Sequence, residues 1–135
     1  MVSFLKRKNI EVVVITVPIA ESFIWSNEGI DENYKMIRSL TDKLDVKYYD
    51  FNLSKNRFEL YSDSDSFNNS IHMSNSGADV FTKELCRVAN LSDDEIRDLF
   101  YLSYDDVICR TKYKEIYDNK QSLVIEADVD AFKQQ

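Results

Sequence analysis

The order of apolar and polar residues in the first half of the chain predicts a strand, a helix and a second strand. Residues 10–17 are a nearly continuous run of β-branched side chains, which is typical of a strand buried on both faces of a parallel sheet. A segment with one apolar face follows, from the favourable N-cap Asp31 to Leu44. Residues 46–51 then have the composition of another strand. A strand, a helix and a strand at this spacing predict a βαβ unit with parallel strands.

The remaining periodic segments predict helices. Residues 3–8 are predicted to be the end of a short helix, with basic side chains at its C-terminus. Residues 92–95 have the capping-box signature that marks the start of another helix. Residues 105–117 are predicted to form a further helix, and residues 122–129 either a final strand or a helix extension. Residues 77–89 have an apolar face that we expect to be buried, made of Ala78, Phe81, Leu85 and Val88.

Residues 19–30 lack a regular period and are predicted to form a loop. Three large apolar side chains stand together in this loop, Phe23, Ile24 and Trp25. They either pack against a neighbouring element, which is the first expectation, or line a substrate groove or a subunit contact.

A long polar stretch, residues 52–70, leads to His72, the only histidine in the chain. It is predicted as a loop with a short ordered turn around residues 58–61, and a loop this long in a compact domain is usually functional or disordered. Its acids, Asp63 and Asp65, are interpreted as solvated charges, with metal binding as the less favoured alternative. An imidazole just before a helix is a candidate general base, and the alternative is a structural or solvent-facing residue.

Composition restricts the fold and the partners. At 135 residues, with 44% apolar and 13% aromatic residues, the chain is long enough for one globular domain with a core. Its net charge of −7 would repel nucleic acids and anionic membranes, so we expect neither as a partner. No apolar run approaches the ~20 residues of a membrane span. No signal peptide is visible in this chain, so a cytoplasmic location is the default expectation.

The two cysteines do not have the spacing of metal ligands. Cys86 lies near the apolar face of the helix at residues 77–89, so we expect it to be buried, and a disulfide with Cys109 remains open. A glycine-rich phosphate loop is absent from the sequence, and no cofactor or metal is predicted.

The block Phe67-Asn-Asn-Ser-Ile-His-Met-Ser-Asn-Ser-Gly-Ala78 resembles the last motif of the SGNH/GDSL hydrolases, in which an Asp-x-x-His loop precedes a helix. His72 falls on the family's catalytic base. Asn69 falls where the family has the aspartate that orients this base, so the acid is missing. Residues 8–18 and 47–51 are similar to the family's closing strands.

The resemblance covers residues 1–90 and implies an α/β fold. This part would be the closing part of a three-layer, doubly wound, flavodoxin-like parallel sheet, and residues 91–135 a helical extension of the same domain. The family's serine, in a Gly-Asp-Ser-like block, would lie upstream of residue 1. The resemblance therefore implies the histidine-bearing part of an esterase or acyltransferase that acts on O-acyl groups of a carbohydrate or cell-wall polymer and is inactive alone.

The missing serine block also favours another class, a degenerate domain that binds or dimerises without catalysis. The strand at residues 10–17 would keep an unpaired apolar edge, which proteins normally cover. We expect a homodimer that buries sheet edges or the loop at residues 23–25. The alternative is that residues 91–135 cover the edge within one chain.

Overall fold

The computed structural model describes residues 1–27, 29–61 and 63–110. The chain divides into two compact units, Met1–Leu102 and Ser103–Gln135. In the second unit the described part is a helix, α8 (Tyr104–Arg110), and the segment at residues 122–129 lies outside the described residues. The first unit contains, in chain order, α1 (Val2–Arg7), β1 (Val13–Thr16), α2 (Glu21–Ser26), α3 (Ile30–Lys43), β2 (Lys47–Asp50), a 3-10 turn (Phe51–Leu53), α4 (Arg57–Leu60), α5 (Asp63–Ser66), β3 (Phe67–Asn69), β4 (His72–Met73), α6 (Asn75–Ala89) and α7 (Asp93–Leu99).

The first unit is a mixed α/β fold with two small sheets. β1 and β2 are parallel, with Val13 opposite Lys47 and Thr16 opposite Asp50, and the connection between them contains α2 and α3. This pairing confirms the predicted βαβ unit. β3 and β4 form a separate antiparallel hairpin.

Different helices cover the two faces of the parallel sheet. On one face the ring of Tyr34 in α3 lies 5.9 Å from the ring of Tyr48, whose hydroxyl is 2.7 Å from Thr16 Oγ1. On the other face Ile15 and Tyr49 pack against the hydrophobic core. The buried members of this core are Ala20, Phe51, Tyr61, Phe67, Phe81, Val88 and Ile96.

β1 is shorter and more exposed than the run at residues 10–17 predicted. Val13 and Val17 are each 43% exposed. Among the residues that the structure describes, β1 pairs with β2 alone, so no strand covers its outer edge. The expectation of a strand buried on both faces is wrong, because no side chain of β1 is fully buried.

Both stretches predicted as loops contain helices. α2 lies within residues 19–30, and Ile24 in it is only 4% exposed, so this side chain packs inward. α4, α5 and β3 lie within residues 52–70, and α4 stands where the short ordered turn was predicted. These elements have three to six residues each, which is too short for an apolar face to repeat. The N-cap of α3 is Gly29 rather than Asp31.

The buried face of α6 matches most of the predicted one. Phe81 and Val88 are buried and Leu85 packs against the core, as expected, but Ala78 and Cys86 are exposed. Glu84 is buried as well, and its carboxylate accepts two hydrogen bonds from the Arg87 guanidinium, at 2.6 and 2.8 Å. Cys86 is exposed and its thiol is free, so the expected burial is wrong, and the side chain of Cys109 lies outside the described residues.

α7 begins with the predicted capping box. Ser92 Oγ accepts the backbone N–H of Glu95, and the Glu95 carboxylate accepts the backbone N–H of Ser92 at 2.9 Å. The side-chain and backbone hydrogen bonds from Ser92 lower the pKa of Glu95.

Gly77 permits a close approach between α6 and the end of α5. A Cβ at this position would lie 2.1 Å from the carbonyl oxygen of Ser66, a backbone atom that cannot rotate away. The same oxygen accepts the backbone N–H of Ser74 at 2.9 Å. Ser66 therefore holds the base of the hairpin together through two contacts, one with Gly77 and one with Ser74.

We expect Gly77→Ala to lower the free energy of unfolding by about 1–3 kcal/mol, because an overpacked site displaces its surroundings. Urea unfolding followed by circular dichroism measures the change. Asp79→Ala, at an exposed position of the same helix, is the control and should have little effect. A Gly77→Ala protein with the stability of the wild type would contradict the close contact with Ser66.

Tyr61 carries a buried hydroxyl that has no hydrogen-bond partner among the described residues. Burial, with a smaller contribution from Glu84, raises the pKa of Tyr61 from 10.0 to about 12. A raised folded pKa means that this contribution to stability is fully present below pH 10 and is lost as the pH rises toward 12.

We expect Tyr61→Phe to leave stability at neutral pH unchanged or to raise it by ~1 kcal/mol, because an unsatisfied polar group is removed. The variant should also lose less stability than the wild type above pH 10. Thermal unfolding at neutral and alkaline pH tests both statements. A variant that is clearly less stable at neutral pH would show that the hydroxyl has a partner.

Candidate functional site

The β3–β4 hairpin brings Asn69 and His72 together. Asn69 lies opposite His72 in the strand register, and Ser70 and Ile71 form the turn between them. The side chain of Asn69 accepts hydrogen bonds from the backbone of the residues that follow, which is a common reason for asparagine at a turn. The two residues predicted as the site therefore meet through a local turn.

The amide of Asn69 fixes the tautomer of His72. Asn69 Oδ1 accepts the backbone N–H groups of Ile71 at 3.1 Å and His72 at 3.0 Å, and because these groups can only donate, the atom facing them is the oxygen. The same oxygen lies 2.9 Å from His72 Nδ1. Nδ1 must therefore carry a proton, and in the neutral ring Nε2 is the acceptor. A base that works through Nε2 requires this tautomer.

The hairpin is attached close to the carboxyl end of β1. The backbone N–H of Ala20, shortly after β1, donates to the carbonyl oxygen of Ser70 at 3.0 Å. His72 is exposed, and α6 begins three residues later, at Asn75. Ligands of open α/β sheets bind beyond the carboxyl ends of the strands, so the imidazole is on the side where chemistry is expected.

No hydrogen bond joins His72 to a serine in the part of the chain that the structure describes. Ser74 and Ser76 have other partners: each donates to the backbone oxygen of Asp65 at 2.7 Å, and their hydroxyl oxygens are 2.9 Å apart. Asn69 is neutral and brings no charge that would stabilise an imidazolium. The hairpin thus offers an imidazole and a side chain that orients it, and the hydroxyl groups of Ser74 and Ser76 contact other partners.

A cleft of about 650 Å³ lies elsewhere in the first unit, along the outer edge of β2. Residues of α3, β2 and α7 line it, and neither Asn69 nor His72 is among them. Asn69 and His72 therefore lie on an open surface and not in this cleft.

The described residues contain no group of three or more side chains that could hold a metal ion. Asp65 contacts its neighbours through its backbone oxygen, and the side chain of Asp63 lies outside the described residues. Within the same part of the chain, no helix has the length and apolar character needed to cross a membrane.

A buried polar network, which the sequence did not predict, holds the carboxyl ends of β1 and β2 together. Asn52 is 1% exposed, and its Nδ2 donates to the carbonyl oxygen of Val17 at 3.2 Å and to Asp50 Oδ1 at 2.9 Å. Its Oδ1 accepts the backbone N–H of Ile19 at 2.9 Å and Nη1 of Arg57 at 3.0 Å.

Arg57 completes the network from a stretch that was predicted as a loop. It is 2% exposed, and its Nη2 donates to the carbonyl oxygen of Ile19 at 2.7 Å. The signal for this network is weak in the sequence, since it consists of Asp50 and Asn52 at the end of an apolar strand and an arginine five residues later.

Comparisons with known protein families, with curated proteins and with solved structures find no match to this chain. The resemblance to SGNH/GDSL hydrolases therefore depends on the residues of the hairpin block and the two strands, and the function drawn from it is a proposal.

We expect Asn52→Ala to lower the free energy of unfolding by about 3 kcal/mol, because each buried group left without a partner costs ~1–3 kcal/mol. Urea unfolding measures this loss. Asn33→Ala, at an exposed position of α3, is the matched control and should change stability little. Equal stabilities of the two variants would contradict the role given to the network.

Proposed function

We propose that this chain is the histidine-bearing part of an SGNH/GDSL-like hydrolase domain, with His72 as the base and Asn69 as the residue that orients it. The observation that carries the proposal is the 2.9 Å hydrogen bond between Asn69 Oδ1 and His72 Nδ1, which leaves Nε2 as the acceptor. The parallel pairing of β1 and β2, with helices on both faces, supports part of a three-layer, doubly wound sheet.

In acyl transfer, Nε2 takes the proton of a serine hydroxyl while the serine oxygen attacks the carbonyl carbon of an ester. The imidazolium then returns the proton to the leaving alkoxide. The described residues offer His72 no hydrogen-bonded serine, and Asn69 does not stabilise the positive ring, so we propose that the chain is inactive alone. The substrate class, O-acyl groups of a carbohydrate or cell-wall polymer, follows from the resemblance.

We expect the neutral ring of His72 to be the Nδ1–H tautomer, because Asn69 Oδ1 accepts only from a protonated Nδ1. Long-range ¹H–¹⁵N NMR distinguishes the two ring nitrogens. Asn69→Ala should remove this bias, whereas Asn68→Ala, which deletes a neighbouring hydrogen bond to Met73, should keep it. A neutral wild-type ring protonated at Nε2 would contradict the proposed base.

We also expect the purified chain to hydrolyse a generic acyl ester no faster than buffer does and to resist labelling by a fluorophosphonate, which reacts with activated serines. His72→Ala should give the same background. A rate that disappears in His72→Ala would contradict inactivity of the chain alone while supporting the hydrolase. Labelling of a serine would identify the nucleophile directly.

A non-catalytic interaction module is the second candidate. It is favoured by exposed apolar side chains on β1 and α3, such as Val13 at 43%, Met36 at 64% and Leu40 at 56%. The side chain of Trp25, which was expected to contribute, lies outside the described residues. Association that is unchanged in His72→Ala would favour this second candidate.

A further inference from the structure

The apolar surface of α3 is wider than the part that the sheet buries. Thr41 is 3% exposed, and Tyr34 and Ile37 are half-buried on the same side of the helix. Met36 and Leu40 are apolar as well, yet they are 64% and 56% exposed. At about 100° per residue, these two side chains lie next to the buried ones, along one flank of the helix.

The exposed flank of α3 lies toward β1. The opposite flank carries Arg38 and Asp42, which line the cleft along the outer edge of β2 together with residues of β2 itself. Because Met36 and Leu40 are on the other side of the helix, they lie on the side of the sheet that ends with β1.

β1 contributes an open strand edge to the same surface. In the described residues its only strand partner is β2. Val13 and Val17, each 43% exposed, alternate with the strand period on the face of Ile15, opposite α3. The backbone N–H and C=O groups along the open edge of β1 are a template for pairing with another strand.

Two charged residues make this surface complementary to a second copy of itself. Glu32 lies near the start of α3 and Lys43 at its end, about three turns apart, and both are exposed. Neither forms an ion pair within the part of the chain that is described. Two antiparallel copies of α3 would set Glu32 of each copy opposite Lys43 of the other. Met36 of one copy would then face Leu40 of the other, because positions 36 and 40 are centred at nearly the same point of the helix as positions 32 and 43.

We propose that β1 and the Met36–Leu40 flank of α3 form the interface of a homodimer with a twofold axis. β1 pairs antiparallel with β1 of the second copy, and the two parallel sheets join into one sheet of four strands. Strands are ~4.8 Å apart, so two helices that each cover a β1–β2 pair lie ~10 Å apart, which is the distance between packed helices. Strand pairing and helix contact therefore fit in one interface. This proposal does not rest on the hydrolase, because His72 takes no part in it.

The proposed pairing of Glu32 in one copy with Lys43 in the other is tested by exchanging the two charges. Sedimentation velocity over the micromolar range should give a concentration-dependent dimer for the wild type. Glu32→Lys sets two lysines opposite each other twice and should raise the dimer dissociation constant about tenfold. Adding Lys43→Glu restores the pairs in reverse and should return it to within about threefold of the wild type. Asp79→Lys makes the same charge change on an exposed position of α6 and should leave the dimer intact.

The apolar part is tested with Leu40→Arg, which should give a folded monomer, since the side chain is already 56% exposed. Leu102→Arg is the control, at a 79% exposed position beside the cleft of β2, and should remain a dimer. Hydrogen exchange of the β1 amides should slow as the wild type dimerises. A wild type that stays monomeric overturns the proposal. A dimer whose dissociation constant changes with neither Leu40→Arg nor the charge exchange overturns it too. Protection of β1 that does not depend on concentration means that the edge is covered within one chain and overturns it as well.

Discussion

The parallel strands have only each other as partners in the described residues, so their carboxyl ends depend on side chains rather than on further strands. Asn52 supplies both a donor and an acceptor at this point and is itself almost fully buried. Arg57 reaches the same place from α4 and binds the chain that leaves β1. Because buried polar groups must be satisfied together, this network fixes the path of the chain after both strands at once.

The position of the hairpin follows from that path. The chain runs from the network to Ala20, whose backbone N–H donates to the carbonyl oxygen of Ser70 in the turn of the hairpin. At the base of the hairpin, Gly77 lies against the backbone of Ser66. The hairpin has few residues and little core of its own, since Asn69 and His72 are exposed. Its geometry is therefore set by backbone contacts with elements distant in sequence, and Gly77 is needed because any larger residue would separate α6 from α5.

The sequence predicted the elements whose pattern repeats and missed those whose pattern does not. The βαβ unit, α6 and the capping box at Ser92 have periodic or paired signals, and the structure contains them. α2 and α5 are too short to show an apolar face, and α4 was expected only as a short turn. Glu84 is buried and forms an ion pair with Arg87, which hydrophobicity does not register. The network at Asn52 joins four segments and has no local signature.

Asn69 and His72 were predicted from the sequence block at residues 67–78. Their side chains form a hydrogen bond because a tight turn brings positions three residues apart together. The turn requires an acceptor oxygen at position 69 that faces two backbone N–H groups and Nδ1. Asparagine and aspartate both provide this oxygen, so the hairpin's backbone contacts do not distinguish between them. They differ only when the ring gains a proton, because a carboxylate would stabilise the positive charge and an amide does not. The pair is therefore complete as a turn and as a means of fixing the tautomer, and what it lacks for acyl transfer is a charge and a nucleophile.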